Sequence, residues 1–214
     1  MEHPVPEIKE VIYRLTTGTR DEQADTLRTY FLPDAAFGHP FCRVPSFPGN
    51  TVPLLPWLNS RELILLIYRW YRILSPHIDI KVHSAVFDEV TSTLYVNISQ
   101  TFRIWFIPFY RADVWLVSAL RLVALDPADA EPAAVAAKGA AAPPPLTNGD
   151  GDGRLWFVQR QEDLYPVADF ARFVMPWGIA SLVGVWQLWS TAACVVLAVL
   201  FAPLARVVEK VKVR

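Results

Sequence analysis

The chain has 214 residues, enough for one ordinary core and an appendage but not for two comfortable cores. Apolar residues make up 53% and charged residues 19%, with a formal net charge of −1 and no basic patch of nucleic-acid type, so a nucleic-acid partner is excluded. Cys42 and Cys194 fall in different environments and suggest no disulfide framework.

The opening "MEHPVPEIKE" mixes charge with proline and has no signal-peptide core, which places the first domain in the cytosol. In "PEIKEVIYRLT", Ile8, Val11, Ile12 and Leu15 recur at helical spacing, and Gly18 ends the helix. A second helix, "RDEQADTLRTYF", carries its acids early and is expected to stop at Pro33. "DAAFGHPFCRV" predicts a short strand. Pro45, Pro48, Pro53 and Pro56 then exclude regular structure.

A third helix is predicted from Arg61 to Leu74, with Ser60 as its cap and Leu63, Ile64, Leu66, Ile67, Trp70, Tyr71 and Leu74 as its apolar stripe. The period then changes. "HIDIKVHSAVF" alternates, with Ile78, Ile80 and Val82 opposite His77, Asp79, Lys81 and His83. "TLYVNISQTFRIWFIPFYR" and "VWLVSALRLVAL" predict two further strands. The Asn97-Ile98-Ser99 glycosylation string lies inside one of them and is read as chance.

Residues 126–153, rich in Ala, Pro and Gly, read as a disordered insert of charge −4. "RLWFVQRQ" resumes a strand, and "EDLYPVADFARFV" reads as a helix. Strands in this order beside three N-terminal helices predict an α+β fold, a curved antiparallel sheet packed on helices.

From Phe173 to Ala205 there are 33 residues without Asp, Glu, Lys or Arg. About 20 apolar residues cross a bilayer as a helix, so residues 173–205 are expected to embed in a membrane. Residues 206–214 form a basic tail of charge +3 that suits anionic headgroups. A re-entrant hairpin bent near Gly184 to Ser190, and a single span over Leu182 to Ala202, both fit. The expected site is the endoplasmic reticulum or a lipid droplet, with residues 1–172 facing the cytosol.

"YFLPDAAFGHPF", a helix, "VFDE" at a hairpin and "LWFVQRQEDLY" together resemble the nuclear-transport-factor-2-like superfamily. "MEHPV", "LIYRWYRILSP", "LYVNISQTFRIWFIPFYRA" and "EDLY" are similar, more narrowly, to its fungal SigF-like branch. The match covers residues 1–125 and 154–172. It implies a cone, a bent sheet wrapped on helices around an apolar pocket, and a C-terminal membrane segment. Relatives include isomerases, dehydratases and cyclases that place an Asp or a His–Asp pair in the cone.

No residue here matches such a catalytic motif, so no catalytic residue, cofactor or metal set is assigned. Asp34 reads as a turn residue. His77, Asp79 and His83 read as a solvated strand face, and two His six apart make a poor zinc site. The pocket candidates are His39, Trp70, Tyr71, Tyr95 and Phe102. Trp105, Phe106, Phe109 and Tyr110, bracketed by Arg103 and Arg111, could rest on a bilayer interface, although core packing explains such aromatics too. Three functions stay open. The first is a membrane-held module binding an apolar small molecule or lipid; the others are an isomerase, dehydratase or cyclase-type enzyme, and a homodimerising scaffold.

Overall fold

A computed structural model describes residues 1–126, 154–175 and 178–212. The chain divides into two units, Met1–Pro166 and Val167–Arg214. The disordered insert expected at 126–153 lies, beyond Asp126, outside the described residues.

The first unit opens with α1 (Pro4–Thr17), which buries Ile8, Val11, Ile12 and Leu15. Gly18 closes it in an extended conformation, not a left-handed one. Its requirement for glycine is steric, because a Cβ there would sit 2.3 Å from the Arg14 carbonyl oxygen. The next helix, α2 (Arg20–Tyr30), starts on a capping box in which Thr19 and Glu22 each satisfy the other's backbone N–H.

Pro33 does not end α2. The chain is already a strand by Phe31, and β1 (Phe31–His39) carries Pro33 through the stretch between Phe31 and Ala36 where its register with the neighbouring strand shifts. A proline lacks the N–H that a regular ladder needs, and an irregularity tolerates it. The short β2 (Cys42–Val44) then folds back on β1.

Helix α3 spans Ser60–Leu74, and its cap is Asn59, whose side chain accepts from the Glu62 N–H at 3.0 Å. Ser60, expected as the cap, is fully buried and ties the preceding loop down: its N–H donates to the Phe47 carbonyl and its Oγ accepts from the Phe47 N–H. The strands β3 (Asp79–Asp88), β4 (Thr93–Phe102), β5 (Ala112–Leu125) and β6 (Leu155–Leu164) complete one sheet in the order β2-β1-β6-β5-β4-β3.

That order corrects the expected antiparallel sheet. β6 enters between β1 and β5 and pairs with β1 in parallel, so the sheet is mixed. "EDL" belongs to β6 rather than to a helix. Period-2 alternation sends Leu94, Val96, Ile98, Leu116, Leu120 and Leu122 onto the helices, where they form one core with Ile8, Leu15, Leu27, Phe31 and Ile64.

The second unit holds α4 (Val167–Val174) and α5 (Ile179–Lys212). The 34 residues of α5 run unbroken through Gly184 to Ser190, so the bend that a re-entrant hairpin requires is not there. Among the described residues, no helix is both long and apolar enough to cross a membrane.

Candidate functional site

Two polar residues of β6, and Tyr165 just past its end, interrupt the apolar inner face of the sheet. Past the register shift beside Arg121, Gln161, Asp163 and Tyr165 follow Val158 on the side facing the helices. Ser118 on β5 and Gln100 on β4 meet them from neighbouring strands. His39 arrives from the end of β1, and Tyr68 and Tyr71 reach down from α3.

The geometry of α3 explains which of its aromatics take part. Ile64, Tyr68 and Tyr71 stand at i, i+4 and i+7, one helical stripe. Trp70 lies about two residues round from Tyr68 and is 55% exposed. The inward stripe is therefore offset from the one read in the sequence. Tyr95 is displaced for a similar reason: its neighbours Leu94 and Val96 are buried, so alternation turns Tyr95 to the outer face, where it is 42% exposed. The structure brings His39, Tyr71 and Phe102 together and leaves Trp70 and Tyr95 outside that group. Tyr71 and Phe102 meet edge to face, with centroids 6.3 Å apart.

Hydrogen-bond bookkeeping fixes the roles of the polar groups. The Phe41 backbone N–H can only donate, and it points at His39 Nδ1 at 3.3 Å. Nδ1 is therefore an acceptor and the ring proton sits on Nε2. Tyr71 donates its O–H to the same Nδ1 at 3.2 Å. His39 Nε2–H in turn donates to the Tyr165 oxygen at 3.2 Å, and Gln100 Nε2 donates to that oxygen at 3.1 Å. Both lone pairs of the Tyr165 oxygen are thus occupied, and among the described residues its own O–H proton meets no acceptor.

Asp163 is held just as definitely. Ser118 Oγ–H donates to Oδ1 at 2.8 Å, and Gln161 Nε2 donates to Oδ1 at 3.0 Å and to Oδ2 at 3.3 Å. Gln161 therefore turns Oε1 the other way, where it accepts from the Tyr68 O–H at 3.0 Å. Among the described residues Oδ2 has only the longer of these contacts, which leaves it acceptor capacity.

The electrostatics follow from enclosure. Burial raises the Asp163 carboxyl to about 6, against opposing hydrogen bonds from Gln161 and Ser118. Burial lowers His39 to about 4, so it is neutral, as its acceptor Nδ1 requires. Tyr68, Tyr71 and Tyr165 are all pushed up, by burial first and then, apart from Tyr71's contacts with Cys42, by the Asp163 charge, so they stay protonated donors. Ser118, Gln161 and Phe102 are buried, whereas His39, Tyr71, Gln100, Asp163 and Tyr165 are only partly covered.

The other sequence candidates fall elsewhere. Trp105, Phe106 and Phe109 are exposed on the loop between β4 and β5, with Phe109 at φ 61. Tyr110 is buried, 7% exposed, and so is not free to touch a bilayer; burial pushes its hydroxyl up to about 12. His83 stacks on Trp115 at 4.5 Å and meets Ser99 Oγ at 2.7 Å on the outer face. Asp79 pairs with Arg103 at 3.3 Å, and the Asp34 carbonyl accepts from Ser46. Among the described residues no group of His, Cys, Asp or Glu could hold a metal ion.

Residues 1–127 match the model of the SigF NTF2-like domain. The chain belongs to this family. Its cone is the fold seen here, and the polar cluster sits inside that cone. A search of curated protein sequences finds no match. Among solved structures, the chain is similar to an LEH-like epoxide hydrolase from M. tuberculosis, at 12% identity over 85% of this chain and 99% of that one, with a TM-score of 0.45. It is also similar to a protein of ketosteroid isomerase-like fold from Catenulispora acidiphila, at 14% identity over 77% and 89% and a TM-score of 0.46. A third likeness is AclR, a putative hydroxylase from Streptomyces galilaeus, at 12% identity over 88% and 96% and a TM-score of 0.45. At such scores these likenesses carry no argument about reaction or substrate.

The residues that sequence reasoning missed are Asp163, Tyr165, Gln161, Tyr68, Gln100 and Ser118. One signal was available. "QEDLY" alternates Gln161, Asp163 and Tyr165 at period 2, but only if it is read as strand.

Proposed function

We propose that the SigF-like cone binds an apolar small molecule carrying a carbonyl oxygen and moves a proton on it, with Asp163 as the base and Tyr165 as the hydrogen-bond donor. The observation that carries this reading is the Tyr165 O–H: its oxygen is filled from two sides by His39 and Gln100, so its proton is left for a ligand. Asp163 stands two residues away on the same strand face, raised to about 6 and thus able to take and return a proton near neutrality. The reading requires a ligand carbonyl seated on Tyr165 to bring its α carbon to Oδ2. Proton abstraction there yields an enolate whose oxygen Tyr165 stabilises; in a β,γ-unsaturated carbonyl the proton returns from Asp163 to the γ carbon and completes an isomerisation, and in a β-hydroxy carbonyl it passes to the hydroxyl that leaves the β carbon as water.

Apolar ketone probes such as β-tetralone and cyclohexenone test this. Incubated in deuterated buffer with the full chain, they should exchange their α protons faster than in buffer alone. Asp163→Asn should abolish the exchange while the probes still quench tryptophan fluorescence. Quenching without exchange in the native chain would reduce the cone to a binding module. Absence of both would sink the reading.

We also propose that residues 173–205 hold the domain on a membrane. The support is the charge-free sequence from Phe173 to Ala205 flanked by Arg172 and Arg206. Expressed in cells, the full chain should stay in the membrane pellet after carbonate extraction, whereas a chain cut after Pro166 should be released. Pelleting of the cut chain as an integral protein would defeat the assignment.

A further inference from the structure

Helix α3 is apolar on two opposite faces. Ile64, Tyr68 and Tyr71 look into the fold, whereas Leu66, Trp70 and Ile73, at i, i+4 and i+7 on the other side, are each more than half exposed. A helix that is apolar all round is normally covered all round. The loop from Arg103 to Arg111 continues the outer stripe. Its Trp105 N–H donates to the Leu74 carbonyl at the end of α3, at 3.3 Å, and its Arg103 N–H donates to Ser75 Oγ at 3.1 Å. Trp105 and Phe106 meet edge to face at 5.5 Å and are more than half exposed, and Phe109 is 96% exposed.

This exposure is built into the loop. Phe109, at φ 61, holds a backbone conformation that bulky residues adopt only under strain. Phe102 and Tyr110 on either side are buried, so both ends of the loop are pinned while the rings between them stand out. Trp70, Trp105, Phe106 and Phe109 alone leave roughly 400–700 Å² in water, at about 150–250 Å² for a whole aromatic side chain. That reaches or passes the largest apolar patch of a typical monomer, about 300–600 Å². Residues 127–153 do not match such a face. They join the sheet at its opposite end, between Leu125 and Leu155, and their large apolar side chains are Val135 and Leu146.

The charges select the occupant. Between Leu63 and Ile78, and between Phe102 and Ala112, the Asp, Glu, Lys and Arg residues are all arginines: Arg69, Arg72, Arg103 and Arg111. Arg103 and Arg111 have Asp79 and Asp113 at the edge of the face, at 3.3 and 3.0 Å. Arg69 and Arg72 donate to the Arg20 and Pro76 carbonyls, which leaves two cations flanking the stripe. A second copy of the chain would set arginines against arginines. Tryptophan and phenylalanine bordered by arginine suit a bilayer interface, where the rings lie at headgroup level and the guanidinium groups reach phosphates. We propose that the outer face of α3 and the β4–β5 loop dock on a lipid surface, with Phe109 as the deepest group. The proposal rests on the membrane reading of residues 173–205, because a tether supplies the nearness that a shallow contact needs. It brings the candidate site to the lipid, since Tyr71 follows Trp70 and Phe102 precedes the loop.

Spin labels on the full chain in phosphatidylcholine–phosphatidylserine vesicles test this. With Cys42→Ser and Cys194→Ser as background, a nitroxide is attached through Phe109→Cys, Trp70→Cys or, on the exposed turn at the far end of the sheet, Val90→Cys. Collisions with oxygen, which dissolves in lipid, are compared with collisions with a water-soluble nickel complex. The oxygen-to-nickel ratio at positions 70 and 109 should be several-fold that at position 90. Equal ratios at all three overturn the docking face. So does mutual broadening of the labels at position 109 with full access to nickel, which assigns the face to a second copy. Flotation and carbonate extraction separate this outcome from the anchor. A chain that resists carbonate with every label in water keeps the anchor and loses the face. A chain released by carbonate, after its labels at 70 and 109 had lain in lipid, keeps the face and loses the anchor. A chain that does not float with the vesicles loses both.

Discussion

His39 Nε2 lies 3.2 Å from the Tyr165 hydroxyl although the two residues are 126 positions apart in the chain. That contact joins the end of β1 to the residue just past β6. Burial keeps both groups neutral near pH 7 and raises the carboxyl of Asp163, two residues before Tyr165, to about 6.

His39 and Asp163 should give stability opposite pH dependences over nearly the same window. Asp163 is raised from 3.8 to about 6, so the native state holds a proton that the unfolded chain has released, and its contribution is lost as pH rises between those values. His39 is lowered from 6.5 to about 4, so the unfolded chain binds the extra proton and stability is lost as pH falls between those values. Each effect is of the order of 2–3 kcal/mol, and they nearly cancel. The native chain should show a flat profile from about pH 4 to pH 6 from these two groups. Asp163→Asn should unmask a loss on acidification, and His39→Gln a loss on raising the pH. Denaturant melts at stepped pH measure both slopes; parallel profiles for the two variants would contradict the assignment.

Tyr71 and Phe102 touch but should respond differently to truncation. Phe102 is 3% exposed, so Phe102→Ala should cost about 3–5 kcal/mol, as for a core aromatic. Tyr71 is only partly covered, so Tyr71→Ala should cost clearly less while weakening binding of any ketone probe. Tyr71→Phe, which removes the hydroxyl's contacts with His39 Nδ1 and Cys42 Sγ and nothing else, should cost about 1 kcal/mol. Urea melts of the three variants rank them. A Tyr71→Ala loss as large as that of Phe102→Ala would show the cone to be solid there.

The junction between α1 and α2 offers a test of steric against hydrogen-bond requirements. Thr19→Ala removes a capping box and should cost about 1 kcal/mol. Gly18→Ala should cost more, although the backbone there has an ordinary φ, because its Cβ would overlap the Arg14 carbonyl oxygen and neither backbone segment can yield cheaply. Thermal midpoints for the two variants decide the order. Equal or reversed effects would mean that the junction relaxes.

Much of the architecture was legible because it follows local rules. The i, i+3, i+4 pattern of Ile8, Val11, Ile12 and Leu15 marked α1, and the Leu94, Val96 and Ile98 alternation marked β4. The parallel pairing of β1 with β6 was not legible, since no local pattern encodes which strand a distant one will join. The site failed in two separable ways. In α3 the apolar residues are so numerous that several stripes fit, and the one chosen included Trp70 in place of Tyr68. In β6, the strand was expected to end at Gln161 and a helix to begin at Glu162, because a strand with Gln161 and Asp163 facing inward breaks the hydrophobic pattern that identifies strands. Functional polarity inside a core is the feature that pattern reading discards.

The central place of β6 has a consequence for how the molecule comes into being. Until β6 is made, the chain holds two half-sheets, β2–β1 and β5–β4–β3, each ending in an open edge, a template for pairing with other chains. One late strand closes both edges and delivers Asp163 and Tyr165 in the same event. No half-assembled form on the ribosome can therefore hold the cluster of Asp163 and Tyr165 with His39, and nascent chains should be clients of chaperones for as long as that strand is missing.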